Sequence, residues 1–167
     1  GPPPVDIPAL ERRGPVDVLR RAERADVLLV AVGSMVPMCL AVAERAADHG
    51  IEVTVVDPRW VVPIPEELVP LASGFRLVVT VEDGGRAGGV GTTLTQALQD
   101  RECDVPVRAV GLPQQFFDHG SRGQVLADAG LTEQDVARRI AEWSAKLADR
   151  ADAVAADPEK NTAVEHP

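Results

Sequence analysis

Two acidic clusters and a glycine cluster contain the residues of this chain whose types and spacing could do chemistry. The run IEVTVVDPRWVVP (51–63) ends its β-branched stretch at Asp57, and the run LVVTVEDGGRAGGVG (77–91) ends its own at Glu82 and Asp83. Short β-branched runs of this kind are typical of buried parallel strands. Because α/β folds bind ligands outside the carboxyl ends of their strands, both clusters are predicted to lie at the working edge of a sheet.

Two interpretations of these charged residues stay open. Acidic groups at neighbouring strand ends could pair for acid–base chemistry or coordinate Mg²⁺. Alternatively, Arg59 forms a structural ion pair with Glu82 or Asp83. We favour the ion pair, because no histidine lies near these residues in the sequence and structural networks commonly produce such clusters.

The glycine cluster separates a predicted strand from a predicted helix, where backbone N–H groups could bind a phosphate. Its members are Gly84, Gly85, Gly88, Gly89 and Gly91. The spacing GGRAGGVG matches neither the dinucleotide fingerprint GxGxxG nor a P-loop, which also needs Lys followed by Ser or Thr. We therefore favour tight helix–strand packing and close approach of a neighbouring chain over anion binding.

His119 and Trp60 are the other residues with a possible functional role. His119 lies in a segment with Phe116 and Phe117, yet no Ser or Cys nucleophile elbow accompanies it. Trp60 follows the first acidic cluster, where a large ring is either a lid on the core or an anchor in an interface. Since only 3% of the residues are aromatic, we favour the interface. The three histidines are scattered singly, so no zinc site is predicted.

The elements that must position these residues alternate between strand and helix. Strands are predicted at 27–32, 51–56, 77–81 and 105–110, with Pro106 placing the last near a sheet edge. Thr132, with Asp135 three residues later, predicts the start of a final amphipathic helix. The pattern indicates an α/β fold, a three-layer sandwich with a mostly parallel sheet and one possible antiparallel edge strand.

Composition sets the domain boundaries and excludes several partners. The Pro-rich residues 1–26 are expected to be a linker from a missing preceding domain, 27–149 the folded domain, and 150–167 a disordered tail. A net charge of −9 argues against nucleic acid and anionic membranes. The longest apolar run, 27–32, is too short to span a bilayer, and we expect a cytoplasmic protein. Of the two cysteines, Cys39 is predicted to be buried filler.

Four segments in this order closely resemble one family. They are GSMVPMCLAVAERAADHGI, VVDPRWVVPIPEEL, LVVTVEDGGRAGGVGTTL and VPVRAVGLPQQFFDHGSRGQVLADAGLTEQDVARRI. The resemblance is to the C-terminal domain of the 1-deoxy-D-xylulose-5-phosphate synthases, in their actinobacterial form. The wider group is the transketolase C-terminal domain, shared with the β subunits of 2-oxo-acid dehydrogenases. The resemblance runs from about Val27 to Leu147.

The resemblance implies an enzyme that condenses pyruvate with glyceraldehyde 3-phosphate and releases carbon dioxide, using thiamine diphosphate and Mg²⁺. Its product feeds isoprenoid, thiamine and pyridoxal synthesis. In that family two earlier domains supply the residues that hold the metal and activate the cofactor, and this chain contains no GDG motif. The resemblance therefore implies that this chain contains no catalytic, cofactor-binding or metal residue and is inactive alone.

What the resemblance does imply is packing against the preceding domains and a second subunit of a homodimer. Asp57, Arg59, Glu82, Gly88 and Gly89 match positions expected at such interfaces, and the predicted set also includes Trp60 and His119. One departure is GGR at 84–86, where an Asn-containing turn is expected. Two alternatives stay open: a stand-alone module that binds an anionic metabolite at the glycine loop, and a subunit of a split transketolase-like enzyme.

Overall fold

The computed structural model describes residues 7–83, 89–112 and 122–157. Its strands are β1 (Glu11–Arg13), β2 (Val16–Arg20), β3 (Val27–Ala31), β4 (Val53–Pro58), β5 (Leu77–Asp83) and β6 (Val107–Leu112). Its α-helices are α1 (Val36–Asp48), α2 (Leu68–Ser73), α3 (Val90–Asp100), α4 (Arg122–Asp128) and α5 (Glu133–Ala156). A 3-10 turn, Gly33–Met35, leads into α1.

The strands form one twisted sheet in the order β1-β2-β4-β3-β5-β6. The strands β4, β3, β5 and β6 are parallel, whereas β1 and β2 run antiparallel at one side. The predicted α/β fold with a mostly parallel sheet is confirmed, and β6, which follows Pro106, is an edge strand as expected. The carboxyl ends of the four parallel strands lie along one edge, which we call the carboxyl edge.

Two apolar clusters, one on each face of the sheet, form the core of the sandwich. One joins α1 and α5 to the sheet, and the other joins α2 and α3 to its opposite face. Every residue of β3 is buried, as its uninterrupted apolar sequence predicts. Cys39 on α1 is buried filler as predicted, and burial raises the pKa of its thiol to about 12.

The prediction of a linker over 1–26 is wrong for residues 11–20, which form the β1–β2 hairpin at the sheet edge. Val16 and Val18 are buried in the core cluster below α2 and α3. The signal was an alternation of apolar Val16 and Val18 around Asp17, too short to stand out beside prolines and glycines. Pairing with β4 buries those valines, and this tertiary burial outweighs the weak local signal.

The predicted tail is also wrong at its start, because α5 continues to Ala156. The sequence ADRADAVAA is rich in alanine, which favours helix, and its first helix breaker is Pro158. The predicted start of this helix is confirmed, since Thr132 and Asp135 form a reciprocal capping box. Residues 158–167 lie outside the described part of the chain.

Burial of the β1–β2 hairpin should contribute measurably to stability. Replacing Val18, which is buried, by Ala removes two methyl groups from the core and should lower the free energy of unfolding by about 2 kcal/mol. The control is Leu10→Ala, because Leu10 lies next to the same hairpin but is 68% exposed and should change stability by less than about 0.5 kcal/mol. Urea unfolding measures both. Equal, small effects would show that the hairpin is not part of the folded core.

Candidate functional site at the carboxyl edge

The acidic residues at the strand ends do not form a pair. Asp57 ends β4, and Glu82 and Asp83 end β5, but β3 lies between those two strands. Two strand spacings separate them by about 10 Å. The expectation of neighbouring strand ends is therefore wrong, because consecutive strands in the sequence are not adjacent in this sheet.

Arg59 forms its ion pair with Asp17 on β2. The predicted ion pair of Arg59 with Glu82 or Asp83 is therefore wrong. The Nε of Arg59 donates to Oδ2 of Asp17 at 3.3 Å, and Nε of Arg12 lies 3.0 Å from Oδ1 of the same carboxylate. The side chain of Asp17 is only 14% exposed, so this carboxylate is largely shielded from water. Sequence reasoning missed Asp17 because it did not recognise β2. The alternation around this residue was the available signal.

Asp57 lies directly across from Asp17 in the β2–β4 ladder. Partial burial raises the pKa of Asp57, the charge of Asp17 raises it further, and Arg59 only partly opposes both effects. No described residue donates a hydrogen bond to its carboxylate. Asp57 is thus an incompletely compensated acid that a donor from a second surface would stabilise.

Glu82 forms its contacts within the chain, at the N-terminus of α3. Its two carboxylate oxygens accept from the backbone N–H of Val90 at 3.0 and 3.2 Å. A Cβ at position 89 would overlap Oε1 of Glu82, so Gly89 leaves the space that this carboxylate occupies. A negative charge is favourable at a helix N-terminus. Glu82 therefore occupies the position at which the alternative interpretation would bind a phosphate.

Gly91 brings α3 close to the sheet. A Cβ there would lie 2.7 Å from Cβ of Ala109 and 2.8 Å from Oγ1 of Thr80. These distances are below ordinary van der Waals contact, so only glycine allows this approach. The predicted tight helix–strand packing is confirmed at Gly91.

The segment after β4 exposes apolar side chains. Trp60 is 52% and Val62 is 86% exposed, and neither belongs to a core cluster. Trp60 is therefore not a lid on the core. The backbone N–H of Arg59 donates to the carbonyl of Pro15 at 3.0 Å, which anchors the start of this segment to the hairpin. We call Asp57, Arg59, Trp60 and Val62 the carboxyl-edge patch.

The remaining predicted residues lie outside the described part of the chain. They are Gly84, Gly85, Gly88, Phe116, Phe117 and His119. The interface roles predicted for Gly88 and His119 stay predictions.

The described residues do not fit a site for thiamine diphosphate and Mg²⁺. Within residues 7–83, 89–112 and 122–157, no three His, Cys, Asp or Glu side chains are grouped to hold a metal ion. The α3 N-terminus already holds the carboxylate of Glu82, which would repel a diphosphate. No helix of the described segments is long and apolar enough to cross a membrane.

This α/β sandwich, with its mostly parallel sheet and antiparallel hairpin at one side, is that of a known domain family. The model of the transketolase C-terminal domain family matches residues 16–136, and this chain belongs to that family. That match begins at β2, in agreement with the hairpin correction.

Among curated proteins, the 1-deoxy-D-xylulose-5-phosphate synthase of Mycobacteroides abscessus is 55% identical over 145 residues. The same enzyme of Mycolicibacterium vanbaalenii is 57% identical over 145 residues. Each match covers 85% of this chain but only 23% of the relative, so the chain spans about a quarter of the length of these relatives.

Solved structures show the same fold. A split-gene transketolase, described as an inactive β4 tetramer, has a TM-score of 0.66 and 30% identity, over 82% of this chain and 45% of that chain. A transketolase from Pichia stipitis has a TM-score of 0.54 and 20% identity, over 78% of this chain and 18% of that chain. The first of these structures belongs to a protein reported to self-associate.

Removing the Glu82 carboxylate should destabilise the domain. The change Glu82→Ala leaves the Val90 N–H without its acceptor and should lower the free energy of unfolding by about 1–2 kcal/mol. Adding phosphate should restore part of this loss, because the vacated helix N-terminus attracts anions. Urea unfolding with and without phosphate measures both effects. Glu82→Gln, which keeps one acceptor oxygen, is the matched control and should lose less. An unchanged stability of Glu82→Ala would contradict the role assigned to Glu82.

Asp57 should make stability fall as the pH rises. Because its pKa is higher in the folded state than in the unfolded chain, the folded state binds its proton more tightly, and this advantage disappears when both states are ionised. The wild type should therefore lose stability relative to Asp57→Asn as the pH rises above about 4, the ordinary pKa of an aspartate. Urea titrations across this range test it. A difference that moves the other way would refute the assigned burial of Asp57.

Proposed function

We propose that this chain is the C-terminal domain of a 1-deoxy-D-xylulose-5-phosphate synthase. The observation that carries the proposal is 55–57% identity to such enzymes over 85% of the chain. The complete enzyme joins pyruvate to glyceraldehyde 3-phosphate with release of carbon dioxide. It works in the cytoplasm as a homodimer with thiamine diphosphate and Mg²⁺ bound by other domains, and this chain alone is inactive.

The role of this domain in the enzyme is to dock on the other domains and so close the active site. The support is the chemistry of the carboxyl-edge patch. Trp60 and Val62 offer exposed apolar surface beside Arg59, and tryptophan and arginine are the residue types most enriched at interface hot spots. Arg59 donates to Asp17 through Nε. The two terminal nitrogens of its guanidinium are therefore available to bind an anionic group on the docked domain.

Asp57 adds an acidic group to the carboxyl-edge patch, beside the basic group of Arg59. Its carboxylate is half-buried and has no donor among the described residues, so a donor on the docked domain would lower its energy. A neighbouring pair of one acid and one base fixes the orientation of a partner as well as its affinity. The proposed interface set also includes Glu82, Gly88, Gly89 and His119, of which Glu82 acts indirectly by fixing the start of α3.

A subunit of a split transketolase-like enzyme is the second candidate. It is supported by the 30% identity and TM-score of 0.66 to a split-gene transketolase subunit. The reading frame upstream of the coding DNA distinguishes the two candidates. A continuous frame with a GDG motif indicates one long synthase, and a separate gene indicates a split enzyme. The stand-alone anion-binding module has less support, since Glu82 occupies the α3 N-terminus.

The docking proposal can be tested by complementation. The full 167-residue chain is mixed with the Mycobacteroides abscessus synthase truncated to remove its own matching region, and binding and product formation are measured with thiamine diphosphate and Mg²⁺. The mixture should form product, whereas neither piece should do so alone. Trp60→Ala should weaken binding by at least about tenfold, since buried aromatic anchors contribute 1–2 kcal/mol or more.

Val154→Ala is the matched control, because Val154 is an exposed apolar residue on α5, away from the patch. It should bind like the wild type. Product formation by the chain alone, or calorimetric binding of thiamine diphosphate with Mg²⁺ to it, would overturn the proposal. Equal binding by Trp60→Ala and wild type would exclude the carboxyl-edge patch as the docking surface.

A further inference from the structure

A cavity of about 310 Å³ lies between the β1–β2 hairpin and α2. It is on the face of the sheet opposite α1 and α5, and every residue that lines it is described. Ile7, which precedes the hairpin, packs against the core cluster of α1 and α5. The described chain therefore reaches the hairpin from the other face of the sheet and does not cross the cavity. None of the lining residues belongs to the carboxyl-edge patch.

Two arginines bring positive charge to the hairpin side of this cavity. Nε of Arg13 donates to Oε1 of Glu11 at 2.9 Å, and Nη2 of Arg21 donates to Oε2 of the same carboxylate. Two guanidiniums thus share one carboxylate, which leaves one positive charge uncompensated. Each guanidinium uses one nitrogen in these bonds, so its other nitrogens can donate to an anion in the cavity.

Thr54 adds a buried donor to the same lining. The residue is only 4% exposed, and its Oγ1 accepts from the backbone N–H of Ala22 at 3.1 Å. The hydroxyl hydrogen of Thr54 has no acceptor among the described residues, so it can be donated into the cavity. A ligand that meets Thr54 and the two guanidiniums therefore needs acceptor oxygens, as a carboxylate or a phosphate has.

The wall on the α2 side is apolar. It includes Leu71 of α2 and Phe75, which follows that helix, and Val18 of β2 extends it toward the hairpin. Leu71 and Phe75 are only partly buried against the core cluster of α2 and α3, so part of their apolar surface faces the cavity. An apolar group placed against them is removed from water, which favours its binding.

The acidic residues nearby do not cancel the donor set. Glu23 also lines the cavity, but it is exposed and interacts with Arg24. Asp26 and Glu52 pair with Arg24 as well, and neither of them lines the cavity. The net charge of −9 disfavours an anion at long range. Because charges beyond about 8 Å are screened at physiological ionic strength, the guanidiniums in the wall have the larger effect.

We propose that this cavity binds a small amphipathic anion. Its carboxylate or phosphate group lies on Arg13, Arg21 and Thr54, and its short apolar tail lies against Leu71 and Phe75. A ligand with both features is preferred over a simple anion or a simple apolar molecule, because polar groups fix its orientation while the apolar wall supplies contact area. The inference goes beyond the proposed docking function and assigns a ligand site to a different part of the domain.

NMR titrations of the nitrogen-15-labelled wild-type chain test the site with pentanoate, pentyl phosphate, pentan-1-ol and acetate. The two anions with a tail should shift the amides of Ala22 and Gly74 saturably, and the tighter of them identifies the preferred acidic group. Pentan-1-ol should bind at least about tenfold more weakly, since hydrogen bonds to charged groups are stronger than neutral ones. Acetate should bind about fourfold more weakly than pentanoate for each methylene that it lacks. Equal affinities of pentan-1-ol and the tighter anion, or no saturable shift of these amides, would refute the proposal.

The variant Arg21→Gln tests the cationic wall. The Arg21 side chain is 50% exposed, so its replacement should leave the unfolding midpoint unchanged. We expect the tighter anion to bind at least about tenfold more weakly and pentan-1-ol to bind as before, a split that a general loosening of the fold would not produce. The matched control is Arg150→Gln, because Arg150 is an exposed arginine on α5, and it should bind like the wild type. Equal anion affinity of Arg21→Gln and wild type would overturn the inference.

This site and the docking surface can be tested separately. Trp60→Ala should bind the tighter anion like the wild type, whereas Arg21→Gln should still form product in the complementation assay. Failure of this inference and failure of the docking proposal are therefore distinguishable.

Discussion

The burial of β3 from both faces is the constraint on which the rest of this structure depends. Every side chain of this strand is removed from water by helices on either side of the sheet. A strand in that position has to be apolar throughout, because an unpaired polar group there would cost free energy without compensation. The strands beside it, β4 and β5, are buried nearly as completely, so their charged residues are confined to the carboxyl edge. The location of the candidate site is thus a consequence of how the core is packed.

The charged groups at the carboxyl edge make different contacts and do not form one cluster. Asp17 reaches across from the antiparallel hairpin and fixes Arg59, while Asp57 opposite it stays incompletely compensated. Glu82, two strands away, takes no part in this cluster and instead satisfies the first turn of α3. The edge therefore combines one internal contact with one surface that has exposed apolar and charged groups, and this surface is the one proposed to dock on the other domains.

The fold was predictable from the sequence wherever one local signal dominated. The apolar runs gave β3, β4 and β5, and Thr132 with Asp135 gave the start of α5. The hairpin was missed because its signal amounts to Val16 and Val18 around one aspartate, and only pairing with β4 makes that segment a strand. The partner of Arg59 was missed for the same reason. Strand order cannot be read from local pattern, so the separation of Asp57 from Glu82 needed the three-dimensional structure.

The carboxylate of Glu82 at the start of α3 has a consequence for how this helix responds to dissolved anions. A helix N-terminus attracts anions, and in many proteins a free phosphate group binds there. Here the anion is tethered to the neighbouring strand, so its effective concentration is constant. The first turn of α3 therefore has its own acceptor whatever the concentration of dissolved phosphate.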